Sequence, residues 1–278
     1  MTSKIEYQYN SLDDFLISKE LNIDAQLDDG WGAFFPVKGR EINATILFAD
    51  ISAFSSRTYE LTPTEILIFV NIFFSWMTAE MVRDKKGIID KYIGDEMMII
   101  FSNEFGSRDP FMDALQTALW MCQNDVLNFS PHIGIASGPV TVGFVGTPLK
   151  YNCSVFGEPV IMASRCASVD TEKEEELHTS SVVFPSHLWK DEHLDLIFPG
   201  KKFKRPDGTV YDKVQHFELL TPREIEFKNM ESVNVRTIMN RTFFKPSITP
   251  QERAHRAADD LRQAGLYRPR SKDFLSLK

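Results

Sequence analysis

The chain has 278 residues, a formal net charge of −8, 43% apolar residues and 25% charged residues. That is the composition of an ordinary globular protein, long enough for one large domain with extensions. The acidic balance argues against a dedicated nucleic-acid binder, and three scattered cysteines without a CxxC pair argue against a disulfide scaffold. The start, "MTSKIEYQYN", lacks the apolar stretch of a signal peptide, and the stickiest run, "ILIFVNIFFSWM", is too short to span a bilayer. The expectation is a cytoplasmic protein that binds neither nucleic acid nor membrane.

Residues 1–41 read as an N-terminal arm, with a short helix in "SLDDFLISKEL" and a loop-like stretch broken by Gly30, Gly32, Pro36 and Gly39. "INATILFADI" is a buried strand that runs into Asp50. A helix follows from Thr62, whose hydroxyl suits an N-cap, with Pro63 at the first helical position and Glu65 completing a capping box. Gly87 ends it after a basic last turn. "GIIDKYIGDEMMIIF" reads as a hairpin turning at Gly94, with Asp90, Lys91, Asp95 and Glu96 crowded between two apolar runs. Buried charges are costly, so a cluster of four asks for a reason.

"DPFMDALQTALWMCQNDVL" is a second amphipathic helix, "PHIGIASGPVTVGFVG" a glycine-rich strand that is kinked or bulged, and "EPVIMASRCAS" a third, short helix. Beyond residue 170 the pattern weakens to a charge run, a strand in "SSVVFPSHLW", a hairpin around "RPDG" and a closing strand in "VQHFELL". Residues 221–278 read as a charged extension with one helix, "TPQERAHRAADDLRQAG". The order of strands and helices predicts an α+β fold, an antiparallel sheet with helices on one face.

If the strand ending in Asp50 neighbours the hairpin carrying Asp95, two carboxylates meet at one end of the sheet. Such a pair repels unless a cation lies between its members, and hard divalent cations take oxygen ligands and bridge to phosphates. Ordinary strand-end and turn aspartates are the alternative. Four stretches, "ATILFADISAF", "DKYIGDEMMIIF", "IGIASGPVTVGFVG" and "VFGEPVIMASR", decide the matter. In order and spacing they resemble the class III nucleotide cyclases, over residues 42–220.

The resemblance implies a ferredoxin-like α+β core and a head-to-tail homodimer with active sites at the interface. The reaction it implies turns a nucleoside triphosphate into a 3′,5′-cyclic nucleotide and pyrophosphate. Asp50 and Asp95 match the family's metal-binding aspartates, with the Ile51 carbonyl as a further ligand to two divalent cations, Mg²⁺ or Mn²⁺. Ile51, Ser52, Ala53 and Phe54 would offer backbone N–H groups to the triphosphate. Arg165 matches the arginine that neutralises charge at the reacting phosphate. Lys91 and Ser154, three residues before Gly157, match the pair that reads the base. Lysine cannot accept from guanine's N1–H and amino group, which argues against GTP, whereas a serine hydroxyl both donates and accepts.

One position departs from the family. Its "VNxAxR" pattern carries an asparagine where this chain, "VIMASR", has Ile161. An inactive nucleotide-binding module, an adenylate cyclase that tolerates the loss and a pocket rebuilt for another base all account for it. Retention of Asp50, Asp95 and Arg165 speaks against the first. The nearly bare catalytic domain resembles the pyrimidine cyclases of the bacterial antiphage system called Pycsar. That points to cyclic UMP, or cyclic CMP, made as a second messenger for a separate effector.

Overall fold

The computed structural model describes residues 9–28, 30, 34–78, 82, 84–125, 127–147, 150–169, 179–190, 192–193, 202–204, 210–212, 217–228, 230–241 and 248–266. The backbone is organised by two long strands that pair side by side. β2 (Phe34–Ile51) lies antiparallel to β5 (Pro131–Thr147) from Gly39 opposite Gly143 to Ile51 opposite Pro131. On its other edge β2 pairs with β4 (Glu96–Phe101), and β4 with β3 (Ile88–Ile93). On the far side β5 takes β7 (Thr179–Pro185) in parallel, and β7 takes β12 (Val233–Arg241) antiparallel.

β1 (Ile23–Asp28) pairs with the first part of β2, and β6 (Lys150–Phe156) with the end of β5. The predicted "arm" therefore supplies β1 and the start of β2. Residues 221–278 likewise supply β11 (Arg223–Ile225) and β12, both within the sheet. β10 (Phe217–Leu219) pairs with β12, while β8 (Lys202–Lys204) and β9 (Val210–Asp212) form a separate two-stranded ribbon where the sequence placed a hairpin.

The α+β class and antiparallel character are as expected, but helices cover both faces of the sheet rather than one. The strands explain why. Along β2, Leu47, Ala49 and Ile51 face one buried cluster, and Ile46 and Phe48 face another. A strand apolar on both sides needs cover on both sides. The first face is covered by α3 (Pro63–Met77), α4 (Pro110–Gln123) and the C-terminal α6 (Pro250–Gln263). α3 buries Glu65, Phe69, Phe73 and Met77, an i, i+4 stripe. Its capping box is as the sequence predicts: Thr62 Oγ1 accepts from Glu65 N, and Thr62 N donates to Glu65 Oε2 at 2.8 Å.

The second face is covered by α1 (Leu12–Ser18) and α5 (Glu158–Ala167). α5 approaches β5 so closely that a Cβ on Gly134 would stand 1.9 Å from the Ala163 carbonyl oxygen. No side chain fits there, which is why a glycine interrupts the apolar run.

Candidate functional site: acidic pair, base-reading cluster and free arginine

The strand register brings the two sequence-predicted aspartates together. Ala49 is opposite Met97, so Asp50, one residue on, reaches the level of the turn between β3 and β4. That turn is Gly94–Asp95, and Gly94 has φ +65°, a conformation glycine adopts without strain. The carboxyls of Asp50 and Asp95 lie close enough to act on each other. Burial first, then the contact and charge of Asp95 and the charge of Glu96, push the Asp50 carboxyl up to about 8; the Ile51 backbone N–H pulls the other way. Asp50 Oδ1 is buried with no hydrogen-bond partner. Glu96 is also raised, by burial and by Asp95.

Ile51 is 1% exposed and anchors the end of β2 in the core. Beyond it Ser52 is half-buried and Ala53 exposed, with Ala53 in the left-handed region at φ 52°, ψ 37°. A non-glycine residue held there is strained, and such strain gathers at functional sites. Ala53 caps α2 (Phe54–Thr58) without a side-chain hydrogen bond, so the first amides of α2 have no acceptor within the helix. Phe54 packs on Phe69, ring centroids 6.1 Å apart. Arg57, unremarked in the sequence, ties α2 down: its Nη1 donates to Phe129 O at 3.0 Å, next to Asp125.

The chemistry of this donor set fits a divalent cation. It has two adjacent carboxylates, one buried oxygen without a partner and a strand-end carbonyl at Ile51. Among the described residues no group of three or more His, Cys, Asp or Glu side chains is arranged to hold a metal. Two aspartates would therefore share the cation with a carbonyl, water or substrate oxygens.

Lys91 and Ser154 also meet. Lys91 Nζ donates to Ser154 Oγ, and both contact Asp90: Lys91 Nζ lies 3.1 Å from Asp90 Oδ2, and Ser154 Oγ donates to the same oxygen at 3.2 Å. A β-bulge makes this possible. Ile89 is opposite Ile99 and Lys91 is opposite Met98, so Asp90 is the extra residue. Strict alternation would send Lys91 to the α3 side. The bulge turns it instead to the face of Ile88, Met98 and α5, where Ser154 lies. Tyr92 resumes the other phase and packs on Phe74, centroids 4.3 Å apart. The sequence marks Asp90 as one of four crowded charges but assigns it no role. Its carboxyl is raised by burial, against the pull of Lys91 and Ser154.

Ile161 stands 55% exposed on α5, pointing away from both clusters of the core. Arg165, one turn on, lines a cleft of about 530 Å³ with Ser168, Arg223 and Lys228. Its guanidinium makes no hydrogen bond or ion pair with any described residue. Asp50 is not among the residues lining that cleft. The structure thus unites Asp50 with Asp95 and Lys91 with Ser154, and places Arg165 in a cleft that Asp50 does not line.

Three other sequence features resolve. Cys153 is buried, which pushes its thiol up to about 12 and leaves it unreactive. His193 is 4% exposed against Phe111 and Trp189. In "GKKFKR", Lys202 and Lys204 lie in β8 and Lys201 falls outside the described residues. No helix among the described residues is long and apolar enough to cross a membrane.

Comparison with known proteins places the chain in a family. The chain is 35% identical over 182 residues to an adenylate cyclase of Anabaena cylindrica, covering 60% of this chain and 35% of that one. It is 30% identical over 130 residues to a terminal-differentiation-specific adenylate cyclase of Dictyostelium discoideum, covering 44% of this chain and 6% of the other. It therefore spans about a third or less of the curated relatives it matches. In fold it resembles the guanylyl cyclase Cya2 (TM-score 0.53, 20% identity, 72% of this chain and 93% of that one). It also resembles the adenylyl cyclase CyaB of P. aeruginosa (TM-score 0.52, 19% identity, 74% and 97%). The family model described as the adenylate and guanylate cyclase catalytic domain matches residues 37–184, more than half of the chain, and the chain belongs to that family.

Proposed function

We propose that this protein is a nucleotidyl cyclase that converts a nucleoside triphosphate to its 3′,5′-cyclic monophosphate and pyrophosphate, working as a head-to-tail homodimer. The observation that carries the reading is the Asp50–Asp95 pair, a half-buried acidic couple with no cationic partner among the described residues and one buried oxygen, Asp50 Oδ1, left without a hydrogen bond. Asp50, Asp95 and the Ile51 carbonyl would hold Mg²⁺ or Mn²⁺. The cations supply Lewis-acid activation of the ribose 3′-hydroxyl and neutralise phosphate charge. The amides after Ala53 bind phosphate oxygens. Arg165, without a hydrogen bond or ion pair among the described residues, neutralises the reacting phosphate from the other protomer. That Asp50 does not line the Arg165 cleft supports a site shared between two chains. Lys91 and Ser154 read the base.

For the substrate we infer a pyrimidine nucleotide, UTP ahead of CTP. Ile161 presents an exposed apolar surface where the family carries an amide, which suits a pocket remade for a smaller base. The Lys91 ammonium, a donor only, is suited to the uracil 4-carbonyl, where cytosine offers an amino group. In this reading the product is a second messenger for a separate effector, as in the Pycsar systems the sequence resembles. A second reading, ATP, is favoured by the likeness to the Anabaena adenylate cyclase. The test is incubation with ATP, GTP, CTP and UTP separately in Mn²⁺, with mass identification of the product. Cyclic UMP or cyclic CMP is expected, cyclic AMP would install the second reading, and no cyclic product from any of the four would overturn both.

A further inference from the structure

The β-bulge in β3 places a carboxylate under the base-reading pair, and its hydrogen bonds fix what that pair can present. Ser154 carries one donor hydrogen and two acceptor lone pairs. The hydrogen goes to Asp90 Oδ2 at 3.2 Å, and one lone pair receives Lys91 Nζ. Lys91 has three N–H donors, of which Asp90 and Ser154 take two. Asp90 is 2% exposed in its side chain and Lys91 38%, so the carboxylate is the buried base of the cluster and the ammonium its open side.

We propose that Asp90 is a positioning residue for base selection: by accepting the Ser154 hydroxyl hydrogen it makes Ser154 an acceptor only, so that Lys91 and Ser154 together offer the base one donor beside one acceptor. This rests on the cyclase reading above and adds to it a residue and a rule. A serine alone discriminates little, because its hydroxyl rotates to suit either kind of partner. A serine whose hydrogen is committed to a buried carboxylate rejects an edge that offers it an acceptor, because a lone pair would then face a lone pair in a dry pocket. The order then decides: with Lys91 at the exocyclic group and Ser154 at the ring nitrogen, the 4-carbonyl and N3–H of uracil fit, whereas the amino group and bare ring nitrogen of cytosine and adenine fit only the exchanged order. Guanine, whose O6 and N1–H repeat the uracil order, is separated by its 2-amino group, a further donor that the single free lone pair of Ser154 cannot also accept.

The experiment measures kcat and KM for the four triphosphates in wild type, Asp90→Asn, Ser154→Ala and the double variant. It is paired with melting shifts produced by each nucleotide with Mn²⁺. In Asp90→Asn the side chain no longer offers acceptors alone and its N–H can donate to Ser154 Oγ, so the hydroxyl hydrogen is no longer committed, and the ratio of kcat/KM between the preferred base and the next falls by about fivefold or more, mostly through KM. Ser154→Ala gives a similar fall, and adding Asp90→Asn to it changes the ratio no further. If Asp90 only holds Lys91 in place, Asp90→Asn still moves the ratio when Ser154 is already alanine, and the proposal fails. It fails equally if Ser154→Ala keeps the wild-type ratio, an arm that stands even if Asp90→Asn does not fold. It fails too if the wild type is indifferent to base. Should the wild type turn over none of the four, the cyclase reading falls, and the same comparisons are read from the nucleotide-induced melting shifts.

Discussion

The hairpin of β3 and β4 serves two buried aspartates that meet opposite fates. Asp90 sits on a bulge with Lys91 and Ser154 both turned toward it, and its charge is answered within the chain. Asp50 sits where β2 meets the hairpin turn. Its neighbours are Asp95 and Glu96, only the Ile51 backbone N–H opposes them, and no cationic side chain among the described residues offsets its charge. A carboxylate with its own cation is finished by folding. A pair of carboxylates without one is completed only by something bound. In the proposed cyclase site, the difference separates a preassembled part, the Lys91–Ser154 cluster, from the acidic pair, which a bound cation would complete.

The largest effects are expected where the chain is incomplete. Asp50→Ala, Asp95→Ala and Arg165→Ala should each lower turnover by about 10²–10³-fold or more, the scale of losing preorganised charge stabilisation. Steady-state pyrophosphate release checks this. Asp50→Ala mixed with Arg165→Ala should regain activity, because one heterodimeric site then carries both wild-type residues. Heterodimers that form yet stay inactive would show that Asp50 and Arg165 act from the same chain.

Next comes a reversal of sign between the two aspartates. Without divalent cations, Asp50→Asn should raise the melting temperature, because it removes a like-charge neighbour of Asp95 and a poorly solvated charge. Mn²⁺ should stabilise the wild type and lose that effect in Asp50→Asn. Asp90→Ala should do the opposite and cost about 1–2 kcal/mol, since it strands Lys91 and Ser154; the partial exposure of Lys91 keeps this below the cost for a fully buried pair. Denaturant midpoints in EDTA and in Mn²⁺ measure all three. If both substitutions destabilise the cation-free protein alike, the two aspartates are not different in kind.

The sequence made the acidic pair legible because nothing intervened between pattern and geometry: β2 runs straight to Asp50, and a two-residue turn lifts Asp95 beside it. Lys91 and Ser154 were legible only through the family resemblance. Asp90 was not legible at all, because alternation places neighbours on opposite faces and a single inserted residue undoes that. The C-terminal strand was hidden for a different reason. β12, "VNVRTIMNR", has the polar residues of an edge, yet it lies between β10 and β7. Its buried Asn240 is satisfied by donating to the Cys122 carbonyl oxygen at 2.6 Å, near the end of α4. A polar residue paired across more than a hundred positions of chain leaves no local signature. Helices on both faces were missed because two-sided burial in β2 reads as one continuous apolar run.

A third carboxylate, Glu65, sharpens the comparison at its other limit. It is 6% exposed in its side chain, yet donors surround it: Thr62 N at 2.8 Å, the Thr62 hydroxyl at 2.7 Å and His255 Nδ1 at 2.8 Å, with Arg262 of α6 at 3.9 Å. The Thr62 backbone N–H first, then the Thr62 hydroxyl and His255, outweigh burial and hold its carboxyl down to about 2. A carboxyl lower in the folded chain than in the unfolded one stabilises the fold above the ordinary carboxylate range, near 4.5, and loses that contribution as pH falls through about 2. Glu65→Ala should therefore cost about 1 kcal/mol at neutral pH, from the capping box and the tie to α6. The gap between the wild-type and variant urea midpoints should hold from pH 7 to about 5, then narrow toward pH 2. Burial pulls every one of these carboxyls upward. Donors supplied by the chain turn Glu65 the other way, nearly hold Asp90 and are reduced to one backbone N–H at Asp50, so a gap that widened on acidification would mean that burial, not the donors, sets the charge of Glu65.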